Sequence, residues 1–114
     1  MEIQTSLHTL IESVYGVKTR HFLNRQVSAV GTSVVKIINN DPKRVGFTII
    51  NLSAADMYIG PDNQVSSSRG IYLAAGGGSI TVKWDVDFHL VAHEWYAVSA
   101  SASSDIYCLE LTLV

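Results

Sequence analysis

Apolar and polar positions alternate along this chain with two different periods. Leu7, Leu10, Ile11 and Val14 fall at i, i+3, i+4 and i+7, the spacing of one helical stripe. Thr5 or Ser6 can cap the start of that helix, and Gly16 can end it. So short a helix is marginal alone and needs a surface to pack on. The surface is either its own domain or another chain. Lys18 to Gln26 read as an extended connector that holds three of the eight Lys and Arg residues, with His21 among them.

From Val27 onward the period is two. Val34, Val35, Ile37 and Ile38 form an apolar run closed by Asn39-Asn40-Asp41-Pro42, a cluster of turn-forming side chains. In the stretch Arg44 to Asn51, Val45, Phe47 and Ile49 share one face, with Gly46, Thr48 and Ile50 on the other. Met57 to Gly60 and Gly70 to Ala75 are further short strands, and Gly76-Gly77-Gly78 permits a sharp change of direction. Ile80, Val82, Trp84, Val86, Phe88 and Leu90 alternate with polar residues, which predicts a half-buried strand. Its length exceeds the usual five or six residues, so a bend is expected near Trp84 to Asp87. Trp95 to Ala100 and Ile106 to Val114 complete the set. In the last, Tyr107, Leu109, Leu111 and Leu113 face one way and Cys108, Glu110 and Thr112 the other. The pattern predicts burial of Val45, Phe47, Ile49, Ile80, Val82, Trp84, Val86, Phe88, Leu109 and Leu111.

Seven or eight short strands between turn signals predict an all-β fold: an antiparallel β-sandwich, jelly-roll-like, with a short N-terminal helix or arm. The division expected is an N-terminal helical arm and connector over residues 1–26 and a β-sandwich domain over 27–114.

Composition narrows the function. At 114 residues the chain has the size of one domain. Charged residues make up 16%, below the usual value of about 25%, beside 47% apolar. That balance suits a surface partly covered by other subunits, hence a homo-oligomer. The net charge is −2 and no basic run exists, which argues against nucleic acid. No apolar run reaches the roughly 18 residues that span a bilayer, so no membrane partner is expected. The start MEIQTSLHTL lacks a basic n-region, so a mature start at Met1 or Glu2 is expected.

Candidate chemistry is sparse. Asp85, Asp87 and His89 would share a strand face, with His93 and Glu94 close behind, a donor set suited to zinc or iron. A solvated sheet face requires the same residues, and that reading is preferred; no metal or other cofactor is expected. None of the serines sits in a Gly-x-Ser-x-Gly elbow. Cys108 lies on an apolar strand, as a packed side chain rather than a nucleophile. The glycine triplet lacks the Gly-Lys-Ser/Thr context of a phosphate cradle. Trp84, Trp95, Tyr58, Tyr72 and Tyr96 fit either a sugar groove or core and interface positions, the latter preferred.

The order Arg44-x-x-Phe47-x-Ile49-x-Asn51, then Met57-Tyr58-Ile59-Gly60, then Gly70-Ile71-x-Leu73-x-x-Gly76, then His93 to Ala100, resembles small β-rich virion proteins of tailed bacteriophages. The resemblance covers about residues 44 to 110. It implies a non-enzymatic structural protein located in the virion, most naturally a capsid decoration or other minor component, with other virion proteins as partners. The alternative it leaves open is a carbohydrate- or receptor-binding sandwich of a phage fibre. Under the first reading the expected assembly contacts are Leu7, Leu10, Ile11, Val14, Arg20, Arg25 and Arg44. Arg44 would also anchor the start of its strand and Asn51 would close the turn after it.

Overall fold

The computed structural model describes residues 13, 14, 16, 19–23 and 29–113, with backbone only for 19–23 and Ala29. Among the described residues nine strands follow in order: β1 (Thr19–Leu23), β2 (Ala29–Val30), β3 (Val35–Ile38), β4 (Arg44–Asn51), β5 (Met57–Gly60), β6 (Ile71–Leu73), β7 (Ser79–Lys83), β8 (Trp95–Ser99) and β9 (Ser104–Leu113). They form two antiparallel sheets, β1-β9-β4-β7 with β2 also on β9, and β3-β8-β5-β6. The pairing is nested: β1 with β9, β3 with β8, β4 with β7, β5 with β6. Such nesting rolls a long hairpin into two facing sheets, which is the jelly roll that strand count and turn spacing predict.

The inner faces meet in one core. Phe47, Ile49, Val82 and Cys108 come from the first sheet, and Ile37, Ile38, Met57, Ile59, Leu73, Trp95 and Ala97 from the second. Phe47 meets Trp95 edge to face, with centroids 5.4 Å apart. A β-bulge at Arg44–Gly46 places two steps of β4 against one step of β9. Without it, Arg44 would point away from the side that Phe47 and Ile49 occupy. With it, Arg44 turns inward and is 2% exposed.

Arg44 makes four side-chain hydrogen bonds at one end of this core. Its Nη1 donates to Glu110 Oε1 at 2.5 Å and to the Asn39 carbonyl at 2.9 Å. Nε donates to the Val91 carbonyl and Nη2 to that of His93, both at 2.7 Å. The guanidinium carbon lies 5.4 Å from the Phe47 ring centroid. Glu110 is buried with it.

That pair corrects the expected register of the last strand. Cys108, Glu110 and Thr112 face inward; Leu109 is half-buried, and Tyr107 and Leu111 are 37% and 40% exposed. The apolar alternation there marks the outer face. The long strand expected over 80–90 is also corrected. It stops at Lys83, opposite Gly46, where the β4 bulge begins. A helical turn (Trp84–Asp87) and a 3₁₀ turn (Phe88–Val91) follow at the site of the expected bend. Trp84, Val86 and Phe88, expected in the core, are 53%, 64% and 72% exposed. Phe47, Ile49 and Val82 are buried as expected, and Val45 and Ile80 are half-buried.

At the other end of β4, Asn51 is fully buried. Its Nδ2 donates to the carbonyls of Ala55, Leu73 and Ala74, and its Oδ1 accepts from Ser53 N and Oγ. The turn is thus closed by the Asn51 amide, as expected, and the same amide latches the glycine loop. There Gly76 and Gly77 have φ of 75° and 122°. A Cβ on Gly78 would stand 2.3 Å from the Ala74 nitrogen, so a side chain has no room.

Removing one member of a buried ion pair leaves the other charge uncompensated. Glu110→Ala should therefore lower unfolding free energy by about 3–5 kcal/mol. The double change Arg44→Met with Glu110→Leu should recover only part of that loss, because the carbonyls of Asn39, Val91 and His93 lose their donor. Chemical denaturation of the three proteins checks both statements; a loss below about 1 kcal/mol for Glu110→Ala would show the pair to be dispensable.

Candidate functional site

The outer face of the first sheet carries exposed Tyr107 and Leu111 beside half-buried Leu109. Strand pairing sets its rows. Lys83, Gly46 and Leu111 lie side by side, and next to them Thr81, Thr48 and Leu109. Gly46 has no side chain, so the floor dips between Lys83 and Leu111. The result is an open hollow of about 450 Å³, lined by residues that include Val45, Gly46, Leu109, Leu111, Lys83 and Trp84. Thr48 and Thr81 share a hydroxyl contact at 3.1 Å along it.

Beside the hollow stands the finger formed by residues 84–90. Both of its ends are fixed. The Lys83 N–H donates to Asp87 Oδ2 at 3.0 Å, and Trp95 Nε1 donates to the Leu90 carbonyl at 3.0 Å. Arg44 holds the carbonyls of Val91 and His93 just beyond. At the tip Phe88 has φ 54° and ψ −127°, with its N–H bonded to the Trp84 carbonyl. A β-carbon is crowded in that region, at a cost on the order of 1–3 kcal/mol. The strained residue carries a ring that is 72% exposed, so the strain gains no burial within the chain.

The outer face of the second sheet is polar and aromatic. Tyr58 and Tyr72 are cross-strand partners with centroids 5.6 Å apart. Tyr96 donates its hydroxyl to Glu94, and Lys36 Nζ lies 3.7 Å from the same carboxylate. The Tyr96 hydrogen bond, aided by Lys36, holds the Glu94 carboxyl below its ordinary range, and the same bond raises the Tyr96 phenol. A hydrogen bond with Asp56 raises Tyr72. Of the two tryptophans weighed for a sugar platform, Trp95 is buried under Phe47 and Trp84 is exposed.

The residues expected to act in assembly are scattered. Leu7, Leu10, Ile11 and Arg25 lie outside the described residues. Val14 is helical and 63% exposed. Arg20 lies in β1, its backbone opposite Thr112. Arg44 is an internal anchor, out of reach of a partner. Asp85, Asp87 and His89 do not share a strand face, since they lie on the two helical turns. Among the described residues no group of three metal-ligating side chains comes together. Sequence reasoning missed the finger and the hollow, although Gly46 in mid-strand was a visible signal of a gap in the sheet surface.

Cys108 is buried, and desolvation, followed by the nearby Glu110 charge, pushes its thiol up to about 12. The folded protein should resist a disulfide reagent such as DTNB at pH 8 and react fully once unfolded. The folded thiol keeps its proton where the unfolded one, titrating near its ordinary value of 9.0, loses it. Its contribution is therefore complete below about pH 9 and declines as pH rises toward 12. Rapid labelling of the native protein at pH 8 would show the thiol to be accessible. Comparison with family models, with curated proteins and with solved structures finds no significant match.

Proposed function

We propose that the chain is a non-enzymatic structural subunit of a tailed-bacteriophage virion, a capsid decoration protein or other minor component that acts through contacts with other virion proteins. The observation that carries this reading is the exposed apolar ground beside the first sheet: Leu111, Trp84, Val86 and Phe88, 40–72% exposed. Apolar surface of this extent, fixed in position at both ends of its loop, favours a covering partner. The resemblance names the kind of partner. Its motif residues fit a scaffold role, because Arg44 and Asn51 spend their hydrogen bonds inside the fold. What is left to act is surface, which suits a protein whose function is contact.

Peptide mass spectrometry of gradient-purified particles tests the reading. Many copies of the chain per particle are expected. Its presence in the infected cell but not in the purified particle would overturn the proposal.

A further inference from the structure

Resting on that reading of a contact subunit, we infer that the first partner is a second copy of this chain, joined about a two-fold axis with the finger of each copy seated in the hollow of the other.

A two-fold contact uses the same patch on both molecules, so the patch must be self-complementary. This one is. It joins a protrusion, the finger tipped by Val86 and Phe88, to an adjacent depression floored by Gly46 and walled by Leu109 and Leu111. A protrusion beside a depression is converted by two-fold rotation into two equivalent insertions. A unique partner of another sequence would need only one of the two shapes.

Charge follows the same rule. Asp85 and Asp87 lie on the finger, and the hollow is lined by Lys83 together with that same Asp85. The rotation brings the acidic finger of one copy to the lysine of the other, and does so twice.

Area sets the expected strength. An aromatic side chain buries about 150–250 Å² in full, so Trp84 and Phe88 alone leave roughly 250 Å² in water. With Val86, Leu90 and Leu111 added, the patch is at the upper end of what monomers expose. It is smaller than the roughly 800 Å² per partner of a standard interface. The contact therefore belongs to the weak class, with a dimer Kd on the order of 10 µM. Packing in a larger assembly would add to it.

The backbone strain at Phe88 separates this role from a structural one. Were the ring part of its own core, replacing it would destabilise the chain. If its use is in the dimer, Phe88→Gly removes the contact and relieves the backbone. The test is sedimentation velocity on the full chain from about 1 to 200 µM, spanning that Kd. The wild type should pass from monomer to dimer over this range. Phe88→Gly should shift the midpoint at least tenfold, as loss of a central anchor does. Its melting temperature should also exceed that of Phe88→Ser, which lacks the ring but keeps the strain. Leu111→Asp, which alters the hollow and not the finger, should weaken the dimer as well. Mixed together, the two variants regain one intact insertion and should associate more tightly than either does alone.

A wild type that stays monomeric throughout overturns the inference and leaves the virion reading to be judged on particles. A dimer indifferent to Phe88→Gly places the interface elsewhere and overturns it too. A trimer or larger ring, or failure of the mixed variants to complement, overturns the reciprocal two-fold seating. Particles that lack the chain, beside a dimer that behaves as described, would sink the virion reading and not this one.

Discussion

One buried ion pair decides how the first sheet is assembled. Arg44 and Glu110 are both excluded from water, with side chains 1% and 4% exposed. Such pairs add little stability compared with apolar residues of similar size, but half of one is expensive. Consider β9 shifted by one residue. Leu109 and Leu111 would enter the core, each worth roughly 1.5–3 kcal/mol on full burial. Glu110 would leave it, and Arg44 would stand inside with a charge facing apolar side chains, at a cost of about 3–5 kcal/mol. The three carbonyl bonds of Arg44 depend on the same inward position. The two leucines gain only part of their value, since Leu109 is already half-buried in the actual register. On these magnitudes the charge constraint at least matches the apolar one. It also removes the ambiguity that period-two strands otherwise carry, because a one-residue slip exchanges the faces completely.

The parts legible in the sequence are those where local chemistry and global demand agree. Phe47 and Ile49 read as core and are core. Asn51 reads as a turn-closing amide, and the glycine triplet as a sharp turn, because the bonds of Asn51 to Ser53 and Ala55 and the backbone of the triplet are set within a few residues; the further bonds of Asn51 to Leu73 and Ala74 are not. The antiparallel sandwich follows from many short strands with polar turns, whereas the nested pairing of its strands comes from contacts between residues far apart in the chain. Two parts were not legible. In β9 the alternation was correct, but its inner face was assigned by hydrophobicity, and the partner that reverses the assignment lies 66 residues away. In the stretch Ile80 to Leu90, six apolar residues at period two describe a strand only while a neighbour exists to pair with. β4 supplies that neighbour as far as Gly46, and the bulge then turns Arg44 inward. Past Lys83 the chain has no ladder to extend, and it closes its own hydrogen bonds in helical turns.

These two departures have one origin. The bulge that carries Arg44 inward ends the β4–β7 ladder, and the carboxylate that meets Arg44 turns the leucines of β9 outward. The finger and the apolar rows beside it are thus products of the same constraint. The exposed surface is an outcome of how the core is satisfied, and its position on the molecule is fixed by residues that never reach it.

That origin bears on how substitutions should be read. Arg44 holds the carbonyls of Val91 and His93, which root the C-terminal side of the finger. A change at Arg44 would loosen that root as well as the core. Weakened self-association in an Arg44 variant would then reflect a displaced finger, although Arg44 itself is 2% exposed and touches no partner. The surface variants Phe88→Gly and Leu111→Asp carry no such ambiguity, since neither residue bonds to Arg44 through its side chain. Separating the two kinds of effect requires stability and association to be measured on the same protein. A core change lowers both together; a contact change lowers association alone. Because the hub and the contact surface are mechanically joined but chemically separate, that comparison distinguishes a residue that forms the interface from one that only positions it.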